Sequence, residues 1–191
     1  DLHLPKVQEE LIERVTAVGK PTILVLMAGS AIDLNYAEEN CSGILLAWYP
    51  GARGGKAVAD LLFGKVSPSG KLPVTFYKDL EGMPEFTDYS MKNRTYRYME
   101  GEALYPFGYG LTYGAVRVKE VQVLNAVTGE SDIEVQVAVE NRGGTDTEDV
   151  VQIYIKDMES PLAVRNYNLC AFHRVFLKAG ESQTLTLTVP N

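Results

Sequence analysis

The acids Glu38, Glu39, Glu81, Glu85, Asp88, Glu100 and Glu102 are candidates for acid, base or nucleophile work. Paired carboxylates can divide such work when their surroundings push their pKa values apart. None of these acids sits in a motif that assigns it a role, and clustered acids on a chain of this charge ordinarily form a solvated face. No catalytic residue is therefore assigned. Ser30 follows Gly29 without the GxSxG frame of a nucleophile elbow. The only histidines are His3 and His173, and no CxxC or HExxH spacing occurs, so neither a metal site nor a cofactor is expected. Cys41 and Cys170 lie far apart and read as free buried thiols, not as a disulfide.

Two further stretches could bind without doing chemistry. Gly51, Gly54 and Gly55 precede a helical pattern and could cradle a phosphate at a helix N-terminus. Their order matches neither GxxxxGK[ST] nor GxGxxG, which favours a tight strand-to-helix turn. The second stretch is rich in aromatic and basic residues. Tyr89 is followed by the run Arg94, Thr95, Tyr96, Arg97 and Tyr98, inside a segment that also holds Tyr105, Tyr109 and Tyr113. Such side chains stack on sugars or on a partner surface. They serve equally well to anchor a linker to its own domain, and both readings stay open.

The elements that must position these residues fall into two regimes. Residues 5 to 18 carry Val7, Leu11, Ile12, Val15 and Val18 on one helical stripe, with Pro5 at the start and Gly19 at the stop. Residues 22 to 28 and 44 to 48 are uninterrupted apolar runs, the pattern of strands buried on both faces. A short helix over 35 to 40, with Asn35 as N-cap, separates them. A helix from Lys56 ends at Gly64, and a strand follows at Val74. That alternation predicts a parallel α/β sheet of three strands, few for a complete domain. Residues 78 to 113 hold little periodicity, and long irregular segments are often functional.

From Ala115 the apolar period becomes two. Strands are predicted through Val116 to Val123, with a phase slip that marks a bulge, then Ile133 to Val139, Val151 to Ile155, Val175 to Leu177 and Leu185 to Val189. Five short strands read as a β-sandwich of the immunoglobulin type, where about seven are expected. The fold class is thus α/β plus all-β: part of an α/β sandwich domain over 1–77, a tyrosine-rich connecting loop over 78–113, and a β-sandwich over 114–191 that lacks its last strands.

The chain has 191 residues, 46% hydrophobic and 23% charged, with a net charge of -7. An acidic chain argues against nucleic acid as a partner, because phosphate contacts need a basic surface. No apolar run reaches the length of a membrane span, so no membrane partner is expected. Residues 1 to 20 do not read as a signal peptide. The reading leaves open whether the protein is cytoplasmic or secreted.

The order Ala47-Trp48-Tyr49-Pro50-Gly51, Gly54-Gly55, Ala59-Asp60, Phe63-Gly64 and Ser69-Gly70-Lys71-Leu72-Pro73-Val74-Thr75-Phe76 closely resembles the C-terminal half of glycoside hydrolase family 3. A second signature of that family is matched by Tyr105-Pro106-Phe107-Gly108-Tyr109-Gly110-Leu111-Thr112-Tyr113. Phe172-His173-Arg174-Val175 and Lys178-Ala179-Gly180-Glu181 look like its fibronectin type III-like domain. The resemblance implies a retaining β-glucosidase or β-xylosidase, exo-acting on an oligosaccharide or glycoside. It also implies an N-terminal barrel domain outside this chain. The family's nucleophile, an aspartate of that barrel, maps onto no residue here. Its acid/base, a glutamate in a loop before the segment that matches Asp1-Leu2-His3-Leu4-Pro5, also maps onto none. The stretch Asp88-Tyr89-Ser90-Met91 with Arg94 to Tyr98 looks more like the β-xylosidases. Tyr89, Arg94, Tyr96, Arg97 and Tyr98 are the candidates for substrate binding or domain contact, and an exposed aromatic-basic face is expected. Two other classes compete: a non-catalytic carbohydrate-binding or scaffolding module built on the loop, and a free-standing α/β domain binding an anionic small molecule at the glycines.

Overall fold

A computed structural model of the chain describes residues 2–81, 83–125 and 130–191. Asp1, the first residue of the segment likened to the family, lies outside them. The chain divides into two compact units, Asp1–Asp60 with Leu72–Phe107, and Leu61–Lys71 with Gly108–Asn191.

In the first unit, α1 (Lys6–Thr16) starts after Pro5, whose carbonyl accepts the Gln8 amide at 2.7 Å. It stops two residues earlier than its apolar stripe suggests. The Thr16 hydroxyl bonds back to the Ile12 carbonyl at 2.9 Å, and Gly19 turns the chain at φ 73°. Val7, Leu11 and Val18 of that stripe are exposed. β1 (Ile23–Leu26) and β2 (Gly43–Leu46) pair in parallel from Ile23 opposite Gly43 to Leu26 opposite Leu46. Between them lies α2 (Asn35–Asn40). Asn35 is its first helical residue and not its cap, because the Asp33 carboxylate accepts the Asn35 amide at 3.0 Å.

After β2, α3 (Gly54–Leu62) runs across the division between the units. The third strand corrects the sequence reading. β3 (Phe76–Tyr77) does not join β1 and β2; it pairs antiparallel with β4 (Ala103–Tyr105). The connecting segment is thus less irregular than expected, since it returns to supply β4 and contains the single-turn helix α4 (Thr95–Tyr98). Phe76, 1% exposed, meets Tyr105 edge to face at 6.2 Å between ring centres. Leu26, Leu34 and Ala37 complete that core.

Among the described residues, the second unit carries five strands. β5 (Val116–Val123), β6 (Ile133–Asn141) and β9 (Ser182–Val189) form one antiparallel sheet, and β7 (Thr147–Ile155) pairs with β8 (Asn168–Leu177) in another. The slip in β5 is a bulge between Val118 and Glu120. Val135, Val137 and Val139 of β6 and Leu187 and Val189 of β9 share one core with Val151, Val175 and Leu177 of the other sheet. This is the sandwich that the two-residue period predicts, because alternate residues of each strand face one side.

Candidate functional site

Residues 84 to 100 of the first unit carry the candidate side chains, and their shape is set by Arg94. One guanidinium nitrogen, Nη2, donates to three loop carbonyls: Glu85 at 2.8 Å, Asp88 at 3.1 Å and Pro84 at 3.3 Å. The Asp88 carboxylate accepts the Ser90 amide at 2.8 Å, and that amide and the Ser90 hydroxyl hold its carboxyl below the usual carboxylate range. Asn93 accepts the Glu100 amide at 2.8 Å through its side-chain oxygen. The Tyr77 hydroxyl of β3 accepts the Thr95 amide at 2.8 Å.

Those bonds hold a costly backbone. Met91, Asn93 and Thr95 all have positive φ, at 62°, 55° and 57°. Asparagine tolerates this region, but a β-branched threonine is a genuine outlier there. Such residues persist only where the surroundings over-determine them.

The expected exposed aromatic-basic face is only partly present. Tyr89 is 83% exposed and Arg97 is also exposed. Arg94, Tyr96 and Tyr98 are half-buried, which corrects the expectation that all three face outward. Arg94 turns inward because the loop carbonyls need donors. Tyr96 stacks on Phe107 with 4.2 Å between ring centres and 16° between planes, and Arg97 lies 5.8 Å from the Tyr96 ring centre. Phe107 was not among the sequence candidates; its place in an aromatic-rich motif was the only signal for it. Nor were Asn93 and Tyr77, whose roles depend on pairing across many residues.

Of the other acids and nucleophiles, Glu81, Glu85, Glu100 and Glu102 lie on the connecting segment itself, while Glu38, Glu39 and Ser30 lie outside it. Glu38, on α2, accepts a hydrogen bond from the Tyr105 hydroxyl. Among the described residues no three His, Cys, Asp or Glu side chains gather as a metal set. Cys41 and Cys170 are free thiols, half-buried where full burial was expected, and burial pushes the Cys41 thiol up. No described helix is long and apolar enough to cross a membrane.

Parts of the two family-like signatures also meet inside the second unit. Ser67 Oγ lies 2.8 Å from Thr112 Oγ1 and 2.7 Å from Thr147 Oγ1, and accepts the Tyr113 amide at 2.9 Å. Lys71 Nζ donates to the Gly110 carbonyl at 2.6 Å and pairs with Asp149 at 2.7 Å. A Cβ on Gly110 would run into the Gly70 carbonyl oxygen, which is why the chain carries no side chain there. The Tyr113 hydroxyl donates to the Leu61 carbonyl at 2.8 Å.

Along the chain, an α/β region is followed by a two-sheet sandwich. The sequence model of the glycosyl hydrolase family 3 C-terminal domain matches residues 1–113, and that of the fibronectin type III-like domain matches residues 149–191. The chain belongs to glycosyl hydrolase family 3. It is 45% identical over 186 residues to a xylan 1,4-β-xylosidase of Xylanibacter ruminicola, covering 97% of this chain and 21% of that protein. It is 34% identical to a periplasmic β-glucosidase of Salmonella typhimurium, over 99% of this chain and 26% of that protein. A solved β-glucosidase structure from Erythrobacter marinus superposes with a TM-score of 0.86 at 37% identity, over 99% of this chain and 25% of that one. The chain thus spans about a quarter of the length of these relatives.

Proposed function

We propose that the chain serves as the C-terminal part of a retaining, exo-acting β-glycosidase that hydrolyses O-glycosyl bonds of β-xylosides or β-glucosides. The observation that carries this is the family match over residues 1–113 together with 45% identity to a β-xylosidase. That identity, with the aromatic-basic loop, favours a β-xyloside over a β-glucoside. Its partners are then the glycoside substrate and a barrel domain N-terminal to this chain. The domain map that goes with this reading keeps 1–77 as the α/β part, 78–113 as the connecting loop and 114–191 as the sandwich.

Retaining hydrolysis passes through an oxocarbenium-like transition state. It needs one carboxylate to attack the anomeric carbon and one carboxylic acid to protonate the leaving oxygen, the two about 5–5.5 Å apart. In this reading both come from outside residues 1–191. The present chain contributes scaffold and loop surface but neither reacting group.

The test compares residues 1–191 with the full-length protein on aryl β-xyloside and aryl β-glucoside. Turnover by the longer protein alone, faster on the xyloside, is the expected result. Robust turnover by residues 1–191 would overturn the placement of the carboxylates, and no turnover of either glycoside by the longer protein would overturn the assignment.

A further inference from the structure

We infer that Arg94 is a positioning residue that holds the loop so that Tyr89 is presented to the glycoside. This rests on the β-glycosidase reading above. The five candidates of the loop are not equivalent. Tyr89 is 83% exposed, while Arg94 spends its Nη2 on the loop's own carbonyls. One of those carbonyls belongs to Asp88, in the peptide that carries Tyr89, so Arg94 fixes the plane from which the Tyr89 ring projects. Asp88 secures the other side of that residue through the Ser90 amide.

The remaining bonds explain why a cation is needed. Three backbone carbonyls converge within a few residues, and the Glu85 carbonyl also accepts the Asp88 amide at 2.9 Å. Converging carbonyl dipoles repel one another unless a donor lies between them, and a charged donor makes the stronger bond. Downstream, positive φ at Met91, Asn93 and Thr95 is retained against its local cost. A loop that only linked two elements could relax into ordinary conformations. A loop held in this shape is pre-organised, which lowers the ordering cost of binding a ligand on Tyr89. An aromatic ring suits the apolar face of a neutral pyranose, and the phenol hydroxyl suits its rim.

The experiment uses the full-length protein and an aryl β-xyloside, with the variants Tyr89→Ala, Arg94→Ala, Arg94→Lys and the double variant Tyr89→Ala/Arg94→Ala. We expect Tyr89→Ala and Arg94→Ala each to raise KM by about tenfold, the scale of one lost charge-assisted or stacking contact. Both should leave kcat within about twofold. The double variant should be no worse than Tyr89→Ala alone, because the two act as one unit. Arg94→Lys should recover part of the loss, since an ammonium can donate to the same carbonyls. Additive losses, an unchanged KM, or a loss confined to kcat would overturn the inference.

Chymotryptic cleavage after Tyr89 reads the positioning half without any substrate. It should be faster in Arg94→Ala than in the unaltered protein, and partly slowed again in Arg94→Lys. Equal cleavage rates would overturn the positioning role even if the enzyme is active. An unaltered protein that hydrolyses no glycoside, with cleavage still accelerated in Arg94→Ala, would instead locate the failure in the β-glycosidase reading.

Discussion

Asn141 is a buried polar side chain that ties several segments of the second unit together. It closes β6, where an Asn-Arg-Gly-Gly sequence suggests an ordinary surface turn, yet it is 1% exposed. Its amide nitrogen donates to the carbonyls of Thr145 at 2.8 Å, Lys178 at 3.2 Å and Leu177 at 3.4 Å. Its oxygen accepts the amides of Gly143 at 2.9 Å and Ala115 at 3.1 Å. Asn141→Ala would strand several buried groups, and should destabilise the chain by about 3 kcal/mol. Denaturant titration should show a lowered midpoint with an unchanged slope. Asp88 gives a second expectation at this scale. Its carboxyl is held below the ordinary range by Ser90, so the bond's contribution to loop order is complete above the ordinary aspartate pKa. It is lost as pH falls through the lowered value. An NMR titration of the Ser90 amide should therefore show a midpoint below that of a free aspartate.

Among the elements, burial and not sequence periodicity decides how much each apolar stripe contributes. Leu177 of β8 is fully buried between the sheets, so Leu177→Ala should cost roughly 3 kcal/mol in transfer and cavity terms. Leu11 of α1 lies on an equally regular stripe but is 61% exposed. Leu11→Ala should change the stability of residues 1–191 by no more than about 0.5 kcal/mol. Unfolding curves of the two variants side by side check the contrast. The segment Leu61–Lys71 supplies another case, since it belongs to the same compact unit as the sandwich strands. The Lys71 and Asp149 side chains that tie it there are only 17% and 16% exposed. Removing one partner leaves a half-desolvated charge, so Asp149→Ala should cost on the order of 2 kcal/mol, between exposed and buried pairs. Lys71→Met together with Asp149→Leu should cost clearly less than the sum of the single changes, as a double-mutant cycle would reveal.

At the level of the whole molecule, the chain covers 21% of its β-xylosidase relative, so the proposed reaction depends on residues beyond it. General acid catalysis contributes roughly 10²- to 10⁴-fold. Changing the glutamate proposed to lie shortly before Asp1 to glutamine in the full-length protein should lower kcat on an aryl β-glycoside by that order. Residues 1–191 alone should show no turnover above buffer. Steady-state kinetics on the two proteins test both statements. A net charge of -7 suits a neutral ligand better than a polyanion, and weakens the competing reading of the glycine loop as a phosphate cradle.

What the sequence determined by itself was whatever depends on local spacing. The apolar period of two from Val116 onward specified five strands and even the bulge near Val118, because a pleated strand must alternate its faces. The paired apolar runs gave β1 and β2 and their parallel pairing across a short helix, although of their eight residues only Leu26 is buried, where burial on both faces was expected. The motif order was enough to name the family before any coordinates. Tertiary structure alone decided the partners. Phe76 joins β4 instead of β2, and nothing in two adjacent aromatics specifies which distant edge will pair with them. Arg94 and Tyr89 looked alike as candidates, yet one folds inward and one projects. The direction of a long side chain is set by which unsatisfied carbonyls the folded loop gathers around it, and that gathering exists only once the loop has closed.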